Sequence, residues 1–289
     1  MKDYIVYIHT DSLMTRVYEW LKDNGVTDNQ WNNISIEQQI DYIKKIAKQI
    51  ENYVNDRSYK ETQLSHYNSQ EHNLKTFFEQ EKIALSGVFK DKGRYATWTL
   101  LDGGNWKDEM SVTGLEIIRS DSPEMVKPRI KKILEMLLKD YKDDDIRKYI
   151  NKCKKELKQC SPEEIAENKG INKTDIYIYD NYKCKKGTPH QLKGVANFKY
   201  LLNKYNLSSE YEIPQNGNKA KVVYVKKNPF KIESLSFLTW PKEFDNIGIE
   251  VDYNKMIINN FTSKVKNLLK TVDKEYLLEE NMSIGSFFK

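Results

Sequence analysis

The spacing of apolar residues changes near residue 121, and this change limits the possible folds more than any other feature. Before it, aromatic and β-branched residues fill two runs at 83–89 and 95–101, which end at an Asp-Gly-Gly-Asn turn. After it, apolar residues recur at intervals of three and four between residues 126 and 138. Runs of the first kind are typical of strands, and spacing of the second kind is typical of amphipathic helices. The sequence therefore predicts an α+β chain: antiparallel strands with helices in residues 1–121, then a mainly helical part in residues 122–280.

Local signals predict further elements. Ser35 is a suitable N-cap for an amphipathic helix that runs to about residue 59, and a Ser-Pro pair at 122–123 is typical of a helix start. Ser161 and Glu164 have the spacing of a capping box. The remaining predictions are a strand–turn–strand unit at 4–17, helices at 17–23, 144–158, 191–203 and 253–271, and strands at 220–225 and 234–239.

Composition excludes several classes of protein. Hydrophobic residues make up 39% of the chain and aromatic residues 12%, which is too apolar for a disordered chain. No stretch approaches the roughly 20 apolar residues of a membrane helix, and the first residues lack the features of a signal peptide. The 3 cysteines are an odd number, which argues against a disulfide framework and for a reducing compartment. We therefore expect a cytoplasmic protein with no membrane partner.

Positive charge is concentrated in one segment. Residues 181–232 contain eleven lysines and two acidic residues, although the net charge of the whole chain is only +5. Aromatic residues alternate with these lysines, as they do on surfaces that contact nucleic-acid phosphates. A solvated lysine-rich face explains the same pattern equally well. If these lysines bind nucleic acid, they follow its backbone, because an ammonium group lacks the fork with which arginine recognises guanine.

The hexapeptide at residues 7–12 has the sequence Tyr-Ile-His-Thr-Asp-Ser and lies between two β-prone runs. In a β-hairpin, side chains two residues apart point to the same side, so His9 and Asp11 would project together and Thr10 away from them. A carboxylate at a hairpin tip is accessible to a divalent cation, and Mg²⁺ prefers oxygen ligands. An ordinary Asp in a turn also accounts for this residue.

Several motifs, taken in order, resemble those of family B DNA polymerases of the tailed-phage type. The hexapeptide at 7–12 is similar to the Tyr-x-Asp-Thr-Asp-Ser motif of the polymerase palm, and Lys-Gly-Arg-Tyr at 92–95 is similar to the primer-grip motif Lys-Lys-Arg-Tyr. Gly-Leu-Glu at 114–116 resembles the segment that leads from palm to thumb. Residues 186–194 are close to a Lys-x-x-x-x-His-x-x-Gly pattern of the thumb, and Asn-Pro-Phe at 228–230 and Trp-Pro at 240–241 resemble two later motifs.

The resemblance implies a fold and a chemistry. The fold is the C-terminal part of a polymerase palm in residues 1–121, followed by a thumb that binds primer–template DNA in residues 122–280. Asp11 matches the metal-binding Asp of the motif, with Thr10 and Ser12 beside it, so it would hold Mg²⁺ for nucleotidyl transfer from a dNTP. The residues implied to contact the primer and the duplex are Lys92, Arg94 and Tyr95, and Lys185, Lys186, His190 and Lys193.

The sequence departs from the family pattern in two ways. His9 stands where the motif has its first Asp, and Gly93 stands where the primer grip has its second Lys. Imidazole is a poor ligand for magnesium, so activity would be reduced. The family's other catalytic Asp, its nucleotide-binding helix and its exonuclease have no counterpart in residues 1–289. We therefore expect one half of a split polymerase, inactive alone, that shares Mg²⁺ with an N-terminal polymerase chain.

Two alternatives remain open at this point. The chain is a polymerase-derived module that binds DNA and a sliding clamp without catalysis, or it is a truncated gene product. Residues 281–289 resemble clamp-binding peptides, in which Ile284, Phe287 and Phe288 would enter an apolar pocket. Aromatic residues that fold back onto the thumb, or a disordered end, would explain these residues as well. The phage-type resemblance implies the cytoplasm of a host cell.

Overall fold

The computed structural model describes residues 3–9, 12–66, 77–115, 122–180 and 182–279. It divides into two compact units, Met1–Gly114 (the first unit) and Leu115–Lys289 (the second unit). Both units combine helices with small antiparallel sheets, which confirms the predicted α+β class. The predicted boundary at residue 121 lies outside the described residues. The assignment of the two parts to palm and thumb remains a prediction.

The first unit begins with a hairpin and continues through helices into a three-stranded sheet. Its elements are β1 (Ile5–Ile8), β2 (Leu13–Thr15), α1 (Val17–Asp23), α2 (Asp28–Asn32), α3 (Ile36–Tyr53), α4 (Lys60–His66), β3 (Lys82–Asp91), β4 (Arg94–Asp102) and β5 (Asn105–Thr113). A π-helical segment, Val54–Tyr59, joins α3 to α4. The sheet runs β3-β4-β5 with antiparallel neighbours.

Helix α3 begins where the sequence predicts. The Ser35 hydroxyl accepts a hydrogen bond from the Gln38 N–H at 3.3 Å, and the Gln38 side chain accepts one from the Ser35 N–H at 2.9 Å. This capping box satisfies backbone donors that the first turn leaves unpaired. The apolar face of α3 then packs on the sheet, in a cluster of Ile36, Ile40, Ile43, Ile83, Trp98, Leu100 and Leu101.

The π-helical segment holds the chain that enters β3. The Asn55 side-chain amide donates to the Phe78 carbonyl at 2.7 Å and accepts from the Phe78 N–H at 2.7 Å. The Glu51 carboxylate accepts from the Gln80 N–H at 2.6 Å. Side chains of the helix therefore replace a neighbouring strand as partners for this backbone.

The second unit alternates helices with short strands. Its elements are α5 (Val126–Leu138), α6 (Asp143–Leu157), α7 (Pro162–Ile165), β6 (Glu167–Gly170), α8 (Thr174–Tyr177), β7 (Ile178–Tyr179), β8 (Lys183–Cys184), α9 (His190–Lys204), β9 (Lys219–Tyr224), β10 (Ser234–Phe237), α10 (Tyr253–Ile257) and α11 (Ser263–Lys270). A second π-helical segment, Ile258–Thr262, joins α10 to α11. One antiparallel sheet has the order β10-β9-β6, and β7 pairs with β8 in another.

The prediction that a helix begins at the Ser-Pro pair is wrong. Helix α5 begins at Val126, and the Pro123 carbonyl accepts the Val126 N–H at 3.1 Å in a turn before the helix. The N-cap of α5 is Met125 rather than Ser122, and the Ser122 hydroxyl accepts a hydrogen bond from the Lys264 amine. The capping box of Ser161 is confirmed, although the helix that it begins, α7, has only 4 residues.

Helix α9 packs closely on β10. An added Cβ at Gly194 would lie 2.3 Å from the Ser236 hydroxyl oxygen, so only glycine permits this approach. The Ser236 and Ser234 hydroxyls donate to the carbonyls of Gln191 and His190 at 2.7 Å and 3.0 Å. These bonds hold the first turn of α9 against the sheet at the place where the predicted thumb motif lies.

Candidate functional site

The two strands of the predicted hairpin are present on either side of residues 10 and 11. Strands β1 and β2 pair antiparallel with Ile8 opposite Leu13, and the His9 N–H donates to the Ser12 carbonyl at 2.8 Å. His9 is half-buried and Ser12 is exposed. Thr10 and Asp11 lie between them, outside the described residues, so the role of Asp11 stays a prediction.

Tyr7 joins this hairpin to the turn that resembles the primer grip. The turn lies between β3 and β4, and the Gly93 N–H donates to the Tyr7 hydroxyl at 2.8 Å. Two segments separated by 86 positions are thereby linked through one directional bond. The hairpin and the turn therefore have a defined position relative to each other.

Aromatic rings pack around this hydrogen bond. The Tyr7 ring centroid lies 5.1 Å from that of Tyr95 and 5.8 Å from that of Phe89, and the rings of Phe89 and Tyr95 are 5.7 Å apart. The His9 ring lies nearly parallel to the Tyr7 ring at 6.3 Å. Aromatic contacts at these distances are favourable, so the cluster supports the position that the hydrogen bond defines.

Gly114 closes the same region from another strand end. Its φ angle is +59°, and an added Cβ would lie 2.0 Å from the Gly93 carbonyl oxygen. No side chain fits at that distance, so the backbone of residue 114 lies directly against the turn. Three segments singled out in the sequence, at Tyr7, Gly93 and Gly114, therefore meet in one place in the first unit.

The charged side chains of the turn face solvent. Lys92 and Arg94 are exposed, and neither forms an ion pair with a described residue, whereas Tyr95 is half-buried in the aromatic cluster. Lys and Arg side chains are common contacts of nucleic-acid phosphates and sugars. The turn thus presents positive charge next to the hairpin.

In the second unit, Lys185 and Lys186 lie on an exposed turn before α9. The Thr188 hydroxyl donates to the Lys185 carbonyl at 2.7 Å, and the Lys185 N–H donates to the Tyr177 carbonyl at 3.0 Å. Both lysine side chains are exposed, as is that of Lys193 on the first turn of α9. These bonds fix the backbone from which the two lysine side chains extend.

Ion pairs distinguish the lysines of residues 181–232. Three of them are neutralised, in the pairs Lys183–Asp180 at 3.2 Å, Lys221–Glu163 at 2.9 Å and Lys226–Glu250 at 2.6 Å. Lys185, Lys186 and Lys193 form no such pair with any residue in the described ranges. These three lysines are therefore available for contact with an external anion, as are the exposed Lys204, Lys219, Lys227 and Lys231, which also lack an ion pair to a described residue.

A family model for DNA polymerase family B matches residues 4–286. The chain belongs to family B of the DNA polymerases. No curated protein matches it. At the level of the family, it is a nucleotidyltransferase of DNA replication with DNA and dNTPs as substrates. Of the helices in the described ranges of this polymerase, none is both long and apolar enough to cross a bilayer.

Family B polymerases generally use divalent metal ions. Among the described residues of this polymerase, no three or more His, Cys, Asp or Glu side chains are grouped to hold a metal ion. His9 offers nitrogen, whereas Mg²⁺ prefers oxygen ligands. Together with a single motif carboxylate, Asp11, such a donor set does not make up a magnesium site.

His190 is placed differently from the lysines around it. Its ring stacks on Tyr224 with centroids 5.5 Å apart, and its Nε2 is buried without a hydrogen-bond partner among the described residues. Burial lowers the pKa of His190 below its ordinary value of 6.5, which favours the neutral form. A neutral ring adds no positive charge to the surface of this polymerase, so His190 would not attract DNA phosphates by charge. Because Nε2 is buried, a DNA contact by His190 would have to use the accessible part of the ring.

The candidates Ile284, Phe287 and Phe288 lie outside the described residues, so clamp binding by the polymerase stays a prediction. Tyr7 and Gly114 are functional candidates that the sequence reasoning missed. A glycine directly after a strand suggests a tight backbone approach, but no local pattern indicates that the partner of Tyr7 is a backbone N–H 86 positions away.

Proposed function

We propose that this chain supplies the C-terminal part of the palm and the thumb of a DNA-directed DNA polymerase of the tailed-phage type. Residues 1–121 are the palm part and residues 122–280 the thumb. The meeting of Tyr7, Gly93 and Gly114 in one place is the observation that carries the proposal. A polymerase needs the metal-binding carboxylate and the primer end side by side, and this arrangement brings the two corresponding motifs together.

The proposed catalytic carboxylate of the chain is Asp11. Two-metal nucleotidyl transfer uses ions about 3.5–4 Å apart that stabilise the attacking and leaving oxygens, and several carboxylates hold them. One aspartate can bridge two ions but cannot by itself supply the several carboxylate ligands that hold them. We therefore infer that the ions are shared with an N-terminal polymerase chain, which supplies the second catalytic Asp, the nucleotide-binding helix and the exonuclease. This chain alone is then inactive.

The exposed cations have separate proposed tasks. Lys92 and Arg94, with Tyr95 behind them, hold the primer end at the turn. Lys185, Lys186 and Lys193 contact the duplex backbone; their place in and beside the thumb-like motif at 186–194 supports this choice, and their exposure without ion pairs to described residues is compatible with it. Such contacts do not depend on base sequence and weaken as salt rises.

Primer extension tests the catalytic proposal. The chain is mixed with the polymerase chain that carries the missing motifs, a labelled primer–template, Mg²⁺ and dNTPs. We expect the mixture to extend the primer and neither chain to do so alone. Asp11→Ala should abolish extension, and Asp41→Ala, which removes an exposed carboxylate from α3, should not. Extension by this chain alone would contradict the split, and no extension by the mixture would contradict the catalytic role.

The His9 departure favours a second candidate, a module that binds DNA and a clamp without catalysis. Both candidates bind duplex DNA, so binding does not distinguish them. Asp11→Ala does, because it removes activity only if the first candidate is right. DNA affinity of the Asp11→Ala variant should equal that of the wild type in both cases, and fluorescence anisotropy with a labelled primer–template measures it.

Clamp binding by residues 281–289 is a further part of the proposal. It rests on the resemblance of Ile284, Phe287 and Phe288 to the apolar anchors of clamp-binding peptides. Deletion of residues 281–289 should abolish the processivity that a sliding clamp confers and leave distributive synthesis unchanged. Equal product lengths from the deleted and the complete protein in the presence of the clamp would contradict it.

A further inference from the structure

The hydroxyl of Tyr7 is held in place by its own ring. The ring lies among Tyr95, Phe89 and His9 at centroid distances of 5.1–6.3 Å, so it has little freedom to rotate away. The hydroxyl then accepts the Gly93 N–H at 2.8 Å. Packing restricts the ring, and the directional bond fixes the backbone of the turn.

The peptide backbone at Gly93 is restricted from two sides. Its N–H is bonded to Tyr7, and its carbonyl oxygen lies against Gly114, where a Cβ would be only 2.0 Å away. The β3–β4 pairing is irregular between Phe89 and Asp91, although Asp91 still pairs with Arg94 across the turn. The Tyr7 hydroxyl, which comes from the separate β1–β2 hairpin, therefore adds to the strand pairing and to the Gly114 contact in setting the position of the exposed neighbours Lys92 and Arg94.

We propose that Tyr7 is a positioning residue for the primer: its hydroxyl fixes the turn that carries Lys92 and Arg94 relative to the hairpin that carries Asp11. This inference rests on the proposed function, because it takes the turn as the primer contact. In-line transfer depends on the placement of the attacking 3′-oxygen, and a misplacement of about 1 Å reduces rates strongly. The hydroxyl is the group that matters, since the ring alone would permit the turn to shift.

Tyr7→Phe removes the acceptor and keeps the ring. The matched control is Tyr4→Phe, because the Tyr4 hydroxyl donates at 2.7 Å to the Asp23 carboxylate rather than to the turn. ¹⁵N-glycine labelling of the full chain gives amide signals for its 12 glycines, and loss of one signal in Gly93→Asn identifies Gly93. Hydrogen exchange at Gly93 should be at least about threefold faster in Tyr7→Phe than in wild type and unchanged in Tyr4→Phe. Unchanged exchange in Tyr7→Phe would overturn the proposal.

The functional arm uses the same proteins and photo-crosslinking to DNA. One primer–template carries 4-thiothymidine at the primer 3′ end, and a second carries it about five base pairs upstream, half a helical turn away. We expect Tyr7→Phe to reduce the 3′-end crosslink by at least about threefold and to leave the upstream crosslink unchanged. Tyr4→Phe should change neither.

The remaining outcomes separate this inference from the proposed function. Faster exchange at Gly93 with an unchanged 3′-end crosslink would overturn the positioning role while the hydrogen bond stands. An equal loss of both crosslinks would also overturn it, since that indicates general loss of DNA binding. If wild-type protein crosslinks to neither probe, DNA binding itself fails, and the positioning role fails with it; this result is visible before any variant is compared.

Discussion

A single methyl group at residue 114 is enough to disturb the proposed primer-binding turn. Gly114→Ala would place a Cβ 2.0 Å from the Gly93 carbonyl oxygen, and the residue has a φ of +59°. We expect a loss in the free energy of unfolding from the left-handed backbone, about 1–2 kcal/mol, and a further loss from overpacking, about 1–3 kcal/mol. Urea denaturation followed by tryptophan fluorescence measures the sum, and 4 of the 5 tryptophans lie in the first unit.

Gly103→Ala is the matched control for this change. Gly103 has a φ of +56° but nothing within 4 Å of an added Cβ, so the substitution carries the backbone penalty without the collision. The difference between the two variants isolates the close approach to Gly93. An equal decrease in the free energy of unfolding of the two variants would contradict the close contact between residue 114 and the Gly93 carbonyl.

His190 gives a prediction about pH. Burial holds the pKa of His190 in the folded chain below its ordinary value of 6.5. Between the pKa of the folded chain and that of the unfolded chain, the unfolded chain binds a proton that the folded chain does not. The free energy of unfolding therefore rises with pH through this window and falls as pH drops through it. Above the ordinary pKa, His190 is neutral in both the folded and the unfolded chain, and its buried ring makes its full contribution to stability.

Urea denaturation at about pH 7.5 and about pH 5.5 tests this. Wild-type protein should lose more stability between the two values than His190→Gln, which has no titrating ring. Circular dichroism is the suitable signal, since it reports helix loss in both units. The same loss in the two proteins would show that His190 is not the group responsible.

At the scale of elements, Asn55 makes a testable link between the first π-helical segment and the entry to β3. Its side chain makes two hydrogen bonds of 2.7 Å with the Phe78 backbone. Asn55→Ala removes both and leaves two partly buried backbone groups without partners, which should lower the free energy of unfolding by about 2–3 kcal/mol. Asn33→Ala removes an exposed amide that bonds only the Asn29 side chain at 3.0 Å, and should change stability by no more than about 0.5 kcal/mol.

Asn55→Asp separates the two bonds. A carboxylate still accepts from the Phe78 N–H, but it cannot donate to the Phe78 carbonyl and faces that oxygen with like charge. Asn55→Asp should therefore lower the free energy of unfolding by at least as much as Asn55→Ala does. Unfolding by urea, followed by tryptophan fluorescence, measures all three variants, and an aspartate variant as stable as wild type would contradict the pairing.

Elements with local signals were predictable from sequence, and those that depend on distant partners were not. Helix α3 follows from its Ser35 cap and its apolar spacing, which are visible within one segment. Strand β6 has the sequence Glu-Asn-Lys-Gly, which has no strand preference, and it is a strand because Glu167 to Gly170 pair with β9. The prediction for the start of α5 was about three residues too early, and the Ser122 hydroxyl instead contacts Lys264, a residue 142 positions away that no local pattern indicates.

The candidate site divides in the same way. The hairpin at residues 7–12 and the turn at residues 92–95 were predictable as motifs, because each lies within a few residues. Their contact was not, because the hydrogen bond from Gly93 to Tyr7 uses a backbone donor that every non-proline residue possesses. Which backbone group meets the hydroxyl is decided by the packing of the sheet.

At the scale of the whole molecule, charge differs between the two units. Residues 1–114 contain 14 basic and 17 acidic residues, a net charge of −3, and residues 115–289 contain 33 basic and 25 acidic residues, a net charge of +8. A negative unit favours the approach of divalent cations, and a positive unit favours that of phosphates. This division agrees with the proposed metal-binding carboxylate in the first unit and the proposed duplex contacts in the second.

Charge reversal tests whether the excess positive charge is used. Lys185→Glu with Lys186→Glu should weaken binding to a blunt duplex of arbitrary sequence and reduce the slope of log affinity against log salt by about two, one for each phosphate contact. The control is Lys44→Glu with Lys45→Glu, an exposed Lys-Lys pair in α3 that gives the same change in net charge. Anisotropy titrations between about 50 mM and about 200 mM salt give both slopes. If long-range attraction alone matters, the two double variants lose equal affinity for the duplex. A larger loss of affinity in the Lys185 and Lys186 double variant requires that the duplex contacts the turn that carries these two residues.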